Sequence, residues 1–571
     1  MLAMLLKSVT IKNFRCFKDV TVPLDKMTVL IGENNSGKTS FLEAIRLCLT
    51  RSNFRRNDWL DPYDYHLTSG TAQPDQCEEL NITLDFVADA ALPAELVQAL
   101  GDVLVFDDQN VQHVILRTTS GYEKTLKTFT SDWDFLDAKG NALGSKAKRP
   151  QLLATFVQLV PLFYLSALRD AAREFQGRAA FWAPFLKSTA IPNEIRDKLQ
   201  TEINALNNEV LKAHGSLQSL KTHLEKVQNV VASGKAGAVD IEALPGRISD
   251  LLAKAQINIS SSTGAPLPLT RHGAGTQSLA VIFLFEAFLA TMLAEQYDKL
   301  SQPILALEEP EAHLHPCATR SLWAALNAIS GQKVIATHSG DLLAHVPLSA
   351  VRRFCTEKGL TVVKSVAPGA LTPDEEQKVN FHIQSARGEL LFARCWLLGE
   401  GETEFWVFRE AAEILEHDLD RCGVRFVNTR YSGVEPLLKI ANAFGIHWYF
   451  VGDGDKQGAD DTAKCKAHLA GRDEANHVCR LPNQNLEVAL CSGGFGTVYE
   501  SHVSAQKKAS VTAAKGTAQY WEQVVDAQPN KEKPARAREV MDLMRQRGKA
   551  SVPPILKQII EGAVALAEAR Q

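Results

Sequence analysis

Apolar and polar positions alternate along the first thirty residues, through LLKSVTIKNF, VTVPL and KMTVLIG, which predicts three strands. The third runs into GENNSGKTS, and FLEAIRLCLT after it has the spacing of a helix. The alternation returns between about Leu80 and Thr130 in NITLDFV, VLVFD and HVILRTT, a β-rich stretch. From FYLSALRDAAREF to about Ala255 the pattern is helical. Ile203, Leu206 and Val210 recur at three- and four-residue spacing, as do Leu217, Leu220, Leu224 and Val227. A helical hairpin or short coiled coil and ordinary amphipathic helices both satisfy that spacing.

Beyond Arg271 the chain reads α/β to about Val366: an apolar helix (SLAVIFLFEAFLATML), the strand PILALEEP, a helix and the strand KVIATH. Near Leu390 a third region begins, where CWLLGEG, RFVNT, HWYFVGDGD and NHVCRLP alternate with helical stretches and predict another parallel sheet. The tail after Val503 is helical, rich in Lys and Arg, and broken by Pro529, Pro534, Pro553 and Pro554.

A chain of 571 residues exceeds one core, so about two to four domains are expected. With 45% hydrophobic and 22% charged residues it fits the soluble globular class. A formal charge of −4 leaves nucleic-acid binding to local patches. The ten cysteines show no Cys-x-x-Cys or zinc spacing and read as reduced thiols. No cleavable leader and no apolar run long enough for a membrane is read, so no membrane partner and a cytoplasmic location are expected.

The most specific chemistry is Gly32-Glu-Asn-Asn-Ser-Gly-Lys-Thr39, a complete G-x-x-x-x-G-K-[ST] between a strand and a helix. Backbone N–H groups of Asn35, Ser36, Gly37 and Ser40, with the helix dipole, suit ATP phosphates. Lys38 is expected on the β- and γ-phosphates and Thr39 on Mg²⁺. PILALEEP ends a buried strand on two acids: Glu308 to support the metal, Glu309 to polarise water.

With RHGAGTQS and VIATHS, these motifs resemble the ABC ATPases of the SMC-, Rad50- and RecF-like branch. The resemblance gives Gly273, Gly275 and Gln277 the signature-loop role, His338 that of the switch histidine, and Glu311 to Pro316 that of the D-loop. It sets Arg15 and Phe17 of IKNFRCF near the nucleotide. Glu308 departs from the commoner Asp, and no Q-loop glutamine is assigned. In that family one subunit's signature loop completes another's site, which implies a homodimer or higher homo-oligomer. The helical insert is a natural place for its contacts.

LLGEGETEFW places Glu400 and Glu404 just after a strand, WYFVGDGD ends another on Asp453 and Asp455, and LPNQNLEVAL offers Glu487. Acids at the C-terminal ends of neighbouring parallel strands converge on one sheet edge. There they can hold one or two divalent cations, Mg²⁺ or Mn²⁺, for phosphodiester displacement. Singly, each has a plainer reading: helix capping for E-G-x-T-E, a turn for D-G-D, a solvated helix for Glu487.

The set resembles a TOPRIM domain, and TOPRIM behind an ABC ATPase resembles the OLD (overcoming lysogenization defect) nucleases over nearly the whole chain. This implies an α/β fold: an ABC-type ATPase head with a helical dimerisation insert, then a TOPRIM Rossmann-like parallel-sheet domain and a helical C-terminal extension. The expected segments are 1–168 and 263–385 for the head, 169–262 for the insert and 386–571 for TOPRIM and extension. The resemblance further implies ATP-regulated DNA cleavage or nicking, a role in anti-phage defence, and for some members a helicase-like or retron partner. It calls for a C-terminal lysine beside the metals. Lys549 is taken for it, Arg545, Arg547 and Lys533 being rivals and a solvated DNA-gripping face the plainer reading. Lys507, Lys508, Arg536 and Arg538 are assigned to the DNA backbone. A topoisomerase or primase, with Tyr431, Tyr449, Tyr499 or Tyr520 as nucleophile, and a DNA-binding ATPase with a non-cutting TOPRIM domain remain open.

Overall fold

The structure is a computed structural model. It describes residues 4–50, 60–67, 76–88, 91–123, 125, 128–165, 192–213, 215–216, 219–220, 257–260, 264, 266–291, 293, 297, 299–529 and 533–569. These form two compact units, residues 1–164, 304–308 and 331–571 in the first, and 165–303 and 309–330 in the second. The first therefore takes in both the phosphate-loop region and the carboxylate region. Much of the segment 169–262, with Leu217, Leu224 and Val227, lies outside the described residues.

In the first unit, β1 (Leu5–Phe14), β2 (Phe17–Pro23) and β3 (Met27–Gly32) are followed by α1 (Lys38–Leu49). Next come β4 (Leu80–Val87), α2 (Ala94–Leu100), β5 (Val105–Phe106), β6 (Gln112–Glu123), β7 (Thr128–Leu136), α3 (Pro150–Leu159) and β8 (Leu162–Leu165). One antiparallel sheet has the order β2-β1-β4-β6-β5, with β7 on β6. Leu6, Val9, Ile11 and Phe14 are fully buried along β1, which fits a strand with one face on a core. β8 corrects the expectation that the chain is already helical at FYL: four apolar residues do not carry a period.

The second unit contains α4 (Asn193–Ala213), the two-residue pair β9 (Asn258–Ile259) and β10 (Leu267–Pro268), and α5 (Ala274–Thr291). On α4 Leu206 is exposed. α5 is long and apolar enough to cross a membrane by length and composition, which corrects the statement that no run qualifies. It buries Ser278, Val281, Ile282, Leu284, Phe285, Phe288 and Leu289 and leaves Phe283 exposed.

β11 (Ile304–Glu308) returns the chain to the first unit; α6 (Pro316–Ala328) belongs to the second. Then β12 (Gln332–Ala336), β13 (Val351–Glu357) and β14 (Leu360–Lys364) complete a second sheet of order β14-β13-β3-β12-β11-β8. Within it β13, β3, β12 and β11 run parallel. The β13–β14 hairpin was not anticipated. Its strand carries the buried Arg352, paired with Asp25 at 2.7 Å, and the buried Arg353, which interrupt the apolar run.

α7 (Pro373–Ser385), capped by Thr372 and Glu375, leads into β15 (Cys395–Gly399), α8 (Glu402–Ile414), β16 (Val424–Asn428) and α9 (Glu435–Phe444). β17 (His447–Gly452), α10 (Lys456–Ala467) and β18 (Val478–Arg480) follow. Here the sheet is fully parallel, ordered β16-β15-β17-β18, so successive connections leave β15 in opposite directions. Its face is covered by α11 (Leu486–Leu490), α12 (Gly496–Ser501), α13 (Ala518–Asp526), α14 (Lys533–Arg547) and α15 (Pro554–Glu568). On α15 a Cβ at Gly562 would stand 2.6 Å from the Tyr449 ring, so glycine admits the helix to β17.

Candidate functional site

The loop between β3 and α1 turns on Gly32 (φ 148°), Asn35 (φ 63°) and Gly37 (φ 101°). A Cβ at Gly37 would lie 2.6 Å from Cys16 Sγ and 2.8 Å from the Phe17 ring, and one at Gly32 would strike the Phe354 carbonyl oxygen. Phe17 therefore packs on the loop, while Arg15 (φ 49°) donates through Nε to Asp64 Oδ1 at 2.8 Å. Lys38 is buried and donates to the carbonyls of Gly32 (2.9 Å) and Glu33 (2.8 Å) and to Ser36 Oγ (3.4 Å). Ser36 is buried; Asn35 and Thr39 face solvent, with Ser40 half-buried.

Parallel pairing aligns the ends of β3, β12 and β11, so the loop, the exposed His338 and Glu308 share one sheet edge. Glu308 Oε1 is buried and has no hydrogen-bond partner, a donor suited to a hard cation. Sequence reasoning missed Tyr164, at the end of β8. Burial and the carboxylates of Glu308 and Glu43 push its phenol far above the ordinary value.

Glu309 follows Glu308 at φ 43° and, with Gly273, Gly275 and Gln277, belongs to the second unit. There a Cβ at Gly275 would stand 2.8 Å from the His313 carbonyl oxygen, so the Gly273–Gln277 turn is packed on the Glu311–Pro316 segment. Gln277 donates to the His272 carbonyl at 2.7 Å and stiffens the turn.

In the parallel sheet, β15 delivers Glu400 and the start of α8 delivers Glu404. The Glu404 carboxylate accepts from Gly401 N–H, closing the helix N-terminus. β17 ends at Gly452 and presents Asp453, while Asp455 caps α10 through Gly458 N–H at 2.8 Å. Asn485 caps α11 from Val488 N–H at 3.0 Å and so fixes Glu487 in its first turn. A Cβ at Gly458 would strike the Asp453 carbonyl, and one at Gly454 the Asn483 carbonyl, so the glycines of GDGDKQG permit close loop packing.

The acids act on one another. Burial, then Glu404, Glu400, Asp455 and Glu487, push Asp453 up to about 8. Burial, opposed by the Gly401 hydrogen bond and reinforced by Glu487 and Glu400, pushes Glu404 up to about 7; it is 5% exposed. Glu400 is raised by burial, Asp455 and Asp461, with Arg430 opposing. Glu400 Oε1 and Asp453 Oδ1 are buried without hydrogen-bond partners. Orphaned carboxylate oxygens among like charges fit divalent cations. Among the described residues no three side chains stand ready as an ion cage. Asp461, a buried acid in a charged helix, and Arg430, in a loop with no motif, were not singled out from sequence.

Lys549, expected at this cluster, makes its ion pair elsewhere. Its ammonium pairs with Glu416 at 3.3 Å, past the end of α8, whereas Glu404 lies in the first turn of that helix. The helical stretch from Glu404 to Ile414 spans roughly 15 Å, and Glu416 lies beyond it. Arg545 pairs with Glu410 (2.7 Å) and Glu413 (3.3 Å), and Arg547 lies over the Phe495 ring. Arg536 is half-buried beside Glu539 at 2.7 Å, and Lys507 donates to the Ala527 carbonyl. Lys508 and Arg538 are exposed, and the Lys533 side chain lies outside the described residues. Tyr449 and Tyr499 are buried, Tyr520 donates to Glu500, and Tyr431 is exposed.

Residues 391–455 match the model of the "Overcoming lysogenization defect protein-like, TOPRIM domain", the stretch from β15 through Asp455. The match places a TOPRIM-like domain behind the phosphate-loop region, in the order that the resemblance to the OLD nucleases leads one to expect. The chain belongs to the family described as "Protein of unknown function (DUF2813)", whose model matches residues 4–389. It is 27% identical to the "Uncharacterized protein YbjD" of Escherichia coli, over 99% of this chain and 100% of that one. It is 24% identical to the "OLD nuclease" of Thermus scotoductus, over 86% of this chain and 89% of that one. With the "Endonuclease GajA" of Bacillus cereus the identity is 23%, over 73% of this chain and 69% of that one.

Proposed function

We propose that the chain is an ATP-binding and ATP-hydrolysing, divalent-metal-dependent DNA endonuclease or nickase, in which the ATPase head regulates the TOPRIM site. The observation that supports it best is the set of acids around Asp453, with two buried carboxylate oxygens lacking partners. The names of the OLD nuclease and endonuclease GajA relatives point the same way.

Glu400, Glu404, Asp453, Asp455 and Glu487 would hold one or two ions, Mg²⁺ or Mn²⁺. When bound, such ions stabilise the attacking and leaving oxygens of a phosphodiester displacement. Glu400, half-buried and oriented by β15, is suited to take a proton from the attacking water. Arg430 is the cation whose field reaches Glu400, and it takes over the phosphate-neutralising role first assigned to Lys549.

At the head, Lys38 and Thr39 would hold the ATP phosphates and Mg²⁺, Glu308 would support that metal, and Glu309 and His338 would act on the attacking water. Gly273, Gly275 and Gln277 would complete the site of a second copy, so hydrolysis needs a homo-oligomer. A cytoplasmic location, an anti-phage role and a helicase-like or retron partner belong to this reading through the OLD resemblance.

The test is Mn²⁺ binding followed by electron paramagnetic resonance, with plasmid cleavage on the same samples. Wild type is expected to bind Mn²⁺ in the absence of ATP and to cut. Asp453→Asn and Glu400→Ala are expected to lose both. Unchanged Mn²⁺ binding in both variants would refute the metal site.

A further inference from the structure

Beside the acid edge stands a pair of aromatic rings that neither site uses. Phe381 on α7 and Tyr431 in the loop after β16 are stacked, with centroids 4.4 Å apart and planes 30° from parallel. Both remain open to solvent, Tyr431 at 64% and Phe381 at 47%. Two large rings left in water forgo the gain of apolar burial. Rings so placed next to a polar site mark a binding surface.

The loop that carries Tyr431 is fastened to the strand that carries Glu400. Thr429 N–H donates to the Gly399 carbonyl at 2.8 Å, and its hydroxyl donates to the same oxygen at 3.2 Å. Gly433 N–H closes the turn on the Thr429 carbonyl at 2.8 Å, and Arg430 N–H is capped by Asn428 Oδ1 at 2.9 Å. From the α7 side, His382 and Ser432 hydrogen bond at 3.0 Å, and burial lowers the His382 pKa, which keeps the ring neutral. Gly399 precedes Glu400, and Tyr431 lies two residues beyond Thr429. The rings are therefore held on the order of 10 Å from the Glu400 backbone, a few nucleotide steps at most. Arg430, between them in the chain, is exposed and opposes the charge of Glu400.

An aromatic face, an adjacent cation and an acid edge are complementary to a nucleic-acid strand: base, phosphate and metal-bound scissile group. A base in a duplex is already stacked and offers no face, so such a platform takes unpaired bases. We propose that Phe381 and Tyr431 form a stacking platform for an unpaired nucleotide beside the Glu400 edge, making DNA with single-stranded or frayed character the preferred substrate. This deepens the nuclease reading and rests on it. Stacking needs the ring and not the hydroxyl, and the fixed loop spares the cost of ordering the platform.

The experiment measures fluorescence anisotropy of a labelled single strand and of the matching duplex, with full-length protein carrying Glu400→Gln to prevent cleavage. Tyr431→Ala is expected to weaken single-strand affinity about 5- to 100-fold, as loss of one base–aromatic stack does. Duplex affinity should change less than about twofold, and Tyr431→Phe should bind like its parent. Phe381→Ala should act in the same direction as Tyr431→Ala. Unchanged single-strand affinity in Tyr431→Ala, or an equal loss for both DNAs, overturns the platform. So does a Tyr431→Phe variant as weak as Tyr431→Ala, because the hydroxyl would then be the operative group, as in a tyrosine nucleophile. A shift in sedimentation for Tyr431→Ala also overturns it, since a second copy would then cover the rings. A wild-type protein that cuts no DNA but shows the expected pattern removes the nuclease reading and keeps the platform. Normal cutting with unchanged strand binding in Tyr431→Ala removes the platform alone.

Discussion

Glu33, the second residue of the phosphate loop, is paired through Oε1 with Arg394 Nε at 2.6 Å. Arg394 immediately precedes β15, whose other end leads to Glu400. Five residues of strand span roughly 17 Å, so a side chain of the phosphate loop holds one end of the strand that presents Glu400 at the other. A second tie runs beside it. Arg353 on β13 donates to the carbonyls of Phe444 and Ala393, both at 2.9 Å, and its neighbour Phe354 packs on Gly32. A cavity of about 530 Å³, lined by Glu33, Asn34, Arg353, Arg394 and His447, lies at this junction.

Breaking the Glu33–Arg394 pair should separate ATP from cleavage without unfolding the protein. Both side chains are about half exposed, so the pair is worth no more than about 1 kcal/mol of stability. Arg394→Ala is expected to keep ATP turnover and basal cleavage while the ATP-dependent change in cleavage rate shrinks toward none. The comparison is cleavage with and without ATP. A full ATP response in Arg394→Ala would show that the signal takes another route.

Acid should loosen the same junction. His447 is held down at about 4, by burial first and then by Arg472, His477 and Arg353. Its folded-state pKa lies below its unfolded value of 6.5, so the unfolded chain takes up the proton first as pH falls. Stability carried by the neutral ring is present above about 6.5 and is lost as pH falls through about 4. Thermal denaturation across that window should show Tm falling with pH, and His447→Gln should flatten part of the slope.

Gly458→Ala should be costly although it adds one methyl group. The new Cβ would meet the backbone of Asp453, which cannot swing aside as a long side chain can. Overpacking of this kind costs about 1–3 kcal/mol. Denaturant titration should read that loss, and Mn²⁺ affinity should fall with it because Asp453 is pushed from the edge. Gly140→Ala is not a fair control, since φ there is 85°; Gly121→Ala, whose new Cβ would meet only the Glu79 side chain at 3.8 Å, is better suited.

Lys549→Ala should leave cleavage within about threefold of wild type. Its partner Glu416 is exposed and lies past the end of α8, beyond roughly 15 Å of helix from Glu404. Arg430→Ala should lower the rate by about 10²-fold or more, the scale of losing a charge-stabilising donor. Equal rates for the two variants would contradict the assignment of roles.

The order of the fold was legible wherever local pattern and chemistry agree. β3 with its loop, β15 before E-G-x-T-E and β17 before D-G-D combine an apolar run with glycines and acids that only a strand end explains. The β13–β14 hairpin was hidden because Arg352 and Arg353 are buried by pairing with Asp25 and with main-chain carbonyls, and a buried arginine reads as surface. α2 was lost inside a β-rich stretch for want of a capping side chain at Pro93. The acid set was visible as residues but not as a coupled cluster. Its raised pKa values depend on burial and on partners up to 83 positions apart in the chain, Glu404 and Glu487. The Lys549–Glu416 pair was hidden for the same reason: a motif-free tail offers cations without saying which edge they reach. The Glu33–Arg394 pair, separated by 361 residues, has no local signal at all.

The most direct measurement is the initial rate of nicking of supercoiled plasmid as Mn²⁺ is titrated, for wild type, Glu400→Gln and Lys38→Ala. The account predicts a metal-dependent rate for wild type and loss by at least about 10²-fold for Glu400→Gln. For Lys38→Ala it predicts a metal-dependent rate that no longer responds to ATP. Plasmid left equally intact, or cut equally fast, by wild type and Glu400→Gln across the titration would contradict it.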